Sequence, residues 1–179
     1  MIQIPYALTI LSISLLWVLA RLALYFKTRI FNPKRELQLL LVYICLVVVV
    51  RLTFFPFSKV DGKVQPLLFD AALILPFRLN LVPFVNLIDY EVRREALINV
   101  IGNSFLFLPV GIVFPIVYKK LNTPLKVIAA GVGTSLSIEL LQLLFFDRVT
   151  DIDDLILNSA GYLLGYGIYL LVKKAKKKA

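Results

Sequence analysis

The sequence predicts an all-α integral membrane protein of five transmembrane helices with a re-entrant or interfacial outer loop, and three observations predict it. Of 179 residues, 60% are hydrophobic and only 17% charged, too few polar side chains to clothe a water-soluble core. Five apolar stretches, 4–26, 37–57, 97–118, 127–146 and 155–172, would each rise through about 27 to 35 Å as helix, against a hydrocarbon core of about 30 Å. The basic residues, finally, gather in alternate connections instead of forming one patch.

Taken in order, the first stretch follows Met-Ile-Gln-Ile-Pro without a basic lead. Its apolar run is longer than that of a secretory signal, so it is expected to stay in the protein as helix 1. Lys27, Arg29, Lys34 and Arg35 follow it; Lys119, Lys120 and Lys126 separate the third and fourth stretches; Lys173, Lys174, Lys176, Lys177 and Lys178 close the chain. The other connections hold Lys59, Lys63, Arg78, Arg93, Arg94 and Arg148, together with most of the acidic residues. The positive-inside rule then sets the amino terminus outside and the carboxyl terminus in the cytoplasm of a multi-pass membrane protein. With no internal repeat and no Gly/Ser linker, residues 1–179 read as one domain ending in a basic cytoplasmic tail, 173–179.

Composition also excludes chemistry. The chain has no histidine and one cysteine, which removes Ser/His and Cys/His nucleophile systems, His-ligated zinc, intrachain disulfides and CxxC sites. Cys45 lies in an apolar run and reads as an inert thiol. A net charge of +9 raises nucleic acid as a partner, but the basic residues flank the spans. The lysine tail therefore reads as an anchor on anionic lipid, and no nucleic acid is expected.

The long connection 58–96 is expected on the outer side. Its apolar part, 67–84, is too short to span and is broken by Pro76 and Pro83, so it lies in the interface or dips back. Asp89 is positioned as N-cap of an amphipathic lead into the third helix.

Polar residues within the spans converge in depth. Arg51, Asn103 and Glu139 all fall about 9 to 10 Å from the outer ends of their helices, and Asn99, Gln142 and Asn158 lie nearer the surface. Ser135, Glu139 and Gln142 share an arc of about 60°, as do Asp151, Asp154 and Asn158. A charge facing lipid costs at least about 2.5 kcal/mol, so Arg51 and Glu139 are expected to pair, with the asparagines completing their hydrogen bonds. Gly161 and Gly165 form a GxxxG step, and Gly131 with Ser135 a small-xxx-small step, both suited to close helix packing. Pro109 and Pro115 are positioned to kink the third helix. Beside this layer the loop 147–154 carries Asp147, Asp151, Asp153 and Asp154. It reads first as a solvated acidic turn, with a site for a hard cation such as Mg²⁺ or Ca²⁺ on Asp151, Asp153 and Asp154 as the alternative.

The segments 51–57 (RLTFFPF), 80–84 (NLVPF), 99–111 (NVIGNSFLFLPVG), 137–142 (SIELLQ) and 148–166 (RVTDIDDLILNSAGYLLGY), taken in this order, resemble the VanZ-like family. The resemblance covers 51–166. It implies a small bacterial membrane protein associated with lowered susceptibility to lipoglycopeptide antibiotics such as teicoplanin, and it supplies no catalytic set.

Two classes of function remain open on the residues. One is a nonenzymatic envelope protein that binds an amphiphile from the outer leaflet, whether a membrane lipid, a lipoglycopeptide or a lipid-linked wall precursor. Its ligand-binding residues would be Arg51, Asn99, Asn103, Glu139, Gln142, Arg148 and Asn158, with an arginine meeting an anionic group. The other is a metal-assisted enzyme on a lipid or wall precursor, with the three aspartates holding the cation, Glu139 as base, and Glu139 and Asp153 the candidate catalytic groups. An ion or proton carrier built on Glu139 ranks last, since five helices without repeats suit alternating access poorly.

Overall fold

The computed structural model describes residues 1–55, 59–84 and 93–178; the side chains of residues 59, 93–96, 98, 99 and 178 fall outside that description. Five long helices are present among the described residues: α1 (Tyr6–Thr28), α2 (Pro33–Phe54), α3 (Arg93–Val117), α4 (Pro124–Gln142) and α5 (Ile152–Lys178). Each contains a segment long and apolar enough to cross a bilayer, so the chain is a multi-pass helical membrane protein.

Local chemistry sets the helix ends. Asn32 caps α2 by accepting the Arg35 N–H at 3.1 Å, and Pro33 follows at the first position, where its missing N–H costs nothing. Thr123 and Pro124 repeat the device at α4. The hydropathy of residues 143–146 would carry α4 further, yet it stops at Gln142. The backbone there is taken by other partners: Phe146 N–H donates to the Leu68 carbonyl at 2.9 Å, and Thr150 Oγ1 donates to the Glu139 carbonyl at 2.8 Å. Both Pro109 and Pro115 lie inside the continuous α3.

The connection after α2 is folded by short strands. β1 (Ile2–Ile4) pairs antiparallel with β4 (Leu67–Phe69), β2 (Lys59–Val60) with β3 (Lys63–Val64), and β5 (Leu79–Asn80) runs parallel to β6 (Thr150–Asp151). The β2–β3 hairpin turns on Asp61 and Gly62, both at positive φ (50° and 73°), which the tight primed turn of a two-residue hairpin requires. These strands gather the start of α1, the end of α4 and the start of α5 at one end of the bundle. The expected N-cap Asp89 lies outside the described residues.

The tightest packing joins α3 and α5. A Cβ on Gly161 would sit 2.0 Å from the Ser104 carbonyl oxygen, and one on Gly165 2.0 Å from that of Leu108. Only hydrogen fits at either place, so the GxxxG step lets the two backbones touch. Tyr162, fully buried between these glycines, lays its ring over Gly131 of α4. The core continues through Phe107, Val110, Val127 and Ile138. α1, in contrast, buries none of its residues. It leans on α2 through Ser14 and Tyr43, whose hydroxyls lie 2.6 Å apart, and through the Arg21–Glu36 ion pair.

Candidate functional site

Two cavities lie between α2 and α4. The first, about 270 Å³, is at the strand-covered end. α2 contributes Leu52 and Thr53, α3 contributes Asn103, and α4 contributes Glu139 and Gln142; Asp147, Arg148, Val149 and Asp151 come from the loop, Asp154 and Asn158 from α5. The second, about 330 Å³, extends along the bundle between Val42, Cys45, Leu46, Val49, Val50 and Phe54 of α2 and Thr134, Ser137, Ile138 and Leu141 of α4, with Val110 and Phe114 of α3 behind. One cavity is polar and the other apolar, and the same helices bound both.

Each polar side chain is set by an identifiable bond. Gln142 Nε2 donates to the Thr53 carbonyl at 2.8 Å, tying α4 to the last turn of α2. Asn158 Nδ2 donates to Ser135 Oγ at 3.1 Å, joining α5 to α4. Asn103 Nδ2 donates to Asp154 Oδ1. Glu139 Oε2 accepts the Asp151 N–H at 3.1 Å, and Asp151 Oδ2 accepts from Asn80 Nδ2 at 2.9 Å. The cavity wall is thereby stitched across four elements.

Several hydrogen-bonding atoms of the wall stay unpaired among the described residues: Gln142 Oε1, Asn158 Oδ1, and Arg148 Nε and Nη2. Gln142 is 5% exposed and Asn158 2%, so their amide oxygens lack a bulk-water route to satisfaction. Arg148 faces Asp147 at 3.7 Å, an ion pair longer than a hydrogen bond. Burial draws the Arg148 guanidinium below its ordinary pKa, and the Asp147 carboxylate pulls in the opposite direction.

Of the residues singled out from sequence, Asn103, Glu139, Gln142, Arg148 and Asn158 meet at this cavity, as do Asp151 and Asp154. The Asn99 side chain lies outside the described residues. Arg51 does not line the cavity, and the expected Arg51–Glu139 ion pair is absent among the described residues. Arg51 Nη1 donates to the Phe55 carbonyl at 3.1 Å, and its guanidinium lies 5.5 Å from the centre of the Tyr6 ring. Equal depth brought the two residues to one layer, but Arg51 and Thr53 lie about 200° apart around α2, and Thr53 is the one that faces α4. Thr53 and Asp147 are additions that depth alone did not single out.

Asp153 also has a different task. Its Oδ1 accepts the Phe84 N–H at 2.8 Å and thereby holds Phe84 at φ 60°, a left-handed conformation unfavourable for an aromatic residue. Among the described residues no three acidic or cysteine side chains gather as a metal-ligating group. Asp151, Asp153 and Asp154 are each engaged with a separate N–H donor.

Fold and site together define a multi-pass helical membrane protein with a polar cavity and an apolar groove between α2 and α4. The VanZ/LLP1 family model matches residues 40–173, and the chain belongs to that family. It is similar to Protein VanZ of Enterococcus faecium, at 34% identity over 96 residues, which is 54% of this chain and 55% of that protein. The chain thus spans about half the length of the curated relative it matches. No solved structure matches it.

Proposed function

We propose that this protein binds an amphiphile from the outer leaflet, a membrane lipid or lipid-linked wall precursor, and so lowers susceptibility to lipoglycopeptide antibiotics such as teicoplanin. The observation that carries the reading is that a polar cavity and an apolar groove both lie between α2 and α4. A headgroup with an acyl chain has that same division. From Val42 to Val50 the groove follows about 12 Å of helix, enough for a good part of an acyl chain. Size argues against the drug itself as occupant: at about 270 Å³ the polar cavity falls below the roughly 300 to 1,000 Å³ of drug-sized pockets, and a glycopeptide is far larger.

The orientation belongs to this proposal, with the amino terminus outside and the lysine-rich carboxyl terminus in the cytoplasm. In a Cys45→Ser background, a cysteine at Lys63 should react with an impermeant maleimide in intact cells and one at Lys120 should not; the reverse pattern would invert the orientation. Function is tested by teicoplanin tolerance at matched membrane abundance, because a destabilised variant loses tolerance through degradation alone. Asn103→Ala should lower tolerance by more than the loss of one interhelical hydrogen bond, about 0.6 kcal/mol, accounts for, and vancomycin, which lacks the acyl chain, should respond less. Full tolerance at wild-type abundance would refute the proposed role of the cavity.

A further inference from the structure

The charges around the polar cavity make a narrower assignment, which rests on the amphiphile reading above. Four carboxylates, Glu139, Asp147, Asp151 and Asp154, face one guanidinium, Arg148. An anionic headgroup would meet several like charges for each favourable one, a mismatch that selects against it. Two further acceptors point the same way. Gln142 Oε1 and Asn158 Oδ1 are unpaired on side chains more than nine-tenths buried, so the wall calls for hydrogen-bond donors. Arg148 alone asks for an acceptor, through Nε and Nη2.

We propose that the cavity receives a zwitterionic aminoalkyl phosphate headgroup, its primary ammonium among Glu139, Asp154 and the two amide oxygens and its phosphate against Arg148. A primary ammonium has three N–H donors, which matches an acceptor-rich wall; a trimethylammonium group has the charge and no such donor. Arg148 suits the phosphate because its donors form a planar fork. The phosphate keeps the anion–arginine contact expected from sequence, and the ammonium adds a cationic end for the carboxylates.

The test uses the delipidated full-length protein in detergent and follows adducts by native mass spectrometry. The probes are dioleoyl phosphatidylethanolamine, phosphatidylcholine and phosphatidylglycerol, with free phosphoethanolamine as the soluble source of the same headgroup. Phosphatidylethanolamine should bind at least tenfold more tightly than either other lipid, and free phosphoethanolamine should compete with it. Glu139→Gln and Asp154→Asn should each erode the preference over phosphatidylcholine, and Arg148→Gln should weaken both lipids together. A thermal melt of each variant separates lost binding from lost fold. Equal binding of the three lipids would overturn the ammonium assignment and leave the amphiphile reading standing. Retention of no lipid by the wild-type protein would overturn both.

Discussion

The α3–α5 seam and the α2–α4 gap solve opposite problems with the same few helices. Along the seam, Gly161 and Gly165 bring backbones into contact, and one side-chain bond, Asn103 to Asp154, ties the pair at its end. Across the gap, the helices stand apart over two cavities, and their one described polar tie is the Gln142–Thr53 bond. The difference teaches that the bundle is held mainly by its glycines and Tyr162. The polar residues of the gap add inter-element hydrogen bonds to that packing.

The largest expected effect falls on the seam. Gly161→Leu places side-chain atoms where even a Cβ would overlap the Ser104 carbonyl, and backbone cannot yield as a side-chain tip does. Overpacking costs about 1 to 3 kcal/mol and sometimes more; the upper end is expected, read as a large fall in melting temperature in detergent. Gly133→Leu on α4, where an added Cβ meets nothing within 4 Å, should stay within about 0.5 kcal/mol. Equal losses at the two positions would remove the seam's claimed role.

Asn158→Ala comes next. It breaks the bond to Ser135, and interhelical hydrogen bonds in membranes average about 0.6 kcal/mol with a maximum near 1.7. A loss near 1 kcal/mol is expected, well below that of Gly161→Leu. A larger loss at Asn158 would make the polar layer the principal fastener after all.

Smaller still is the coupling between Arg51 and Glu139. Since they make no ion pair, Arg51→Met and Glu139→Gln should add to within about 0.5 kcal/mol in a double-mutant cycle. A recovery of stability in the double variant would reinstate the pair.

The smallest effect lies outside both regions, at the strand cap. The Ala72 N–H and the chain's amino-terminal ammonium hold the Asp70 carboxyl below its ordinary pKa. A lowered carboxylate contributes stability above its unfolded pKa and loses it as pH falls through the folded value. Asp70→Asn should therefore speed hydrogen exchange over 67–72 at neutral pH, with the difference from wild type fading on acidification. A difference that persists in acid would assign it to the side chain's shape.

The spans were legible because hydropathy and length act on whole segments, and the glycine seam because its spacing is that of one helix face. Helix ends were less so. Apolar residues 143–146 look helical, but Leu68 and Arg78, far away in sequence, take the backbone N–H groups of Phe146 and Thr150. The β5–β6 pairing, which sets Asn80 against Asp151, has no local signature. In the site, depth put Asn103 and Glu139 in one layer with Gln142 and Asn158 nearer the surface, and all four line the one cavity. Depth says nothing of azimuth when a helix carries a single charged residue, and it is Thr53, not Arg51, that lines the cavity.

The central claim, that the gap between α2 and α4 holds an amphiphile, is tested most directly by filling the groove and weighing what stays bound. Ser137 lines the groove, whereas Gly133, one turn earlier and likewise exposed, does not. Native mass spectrometry of Ser137→Phe and Gly133→Phe, purified at matched abundance, should show the lipid adduct lost from the first and kept by the second, with both melting near wild type. Retention of the wild-type adduct by Ser137→Phe would contradict the account.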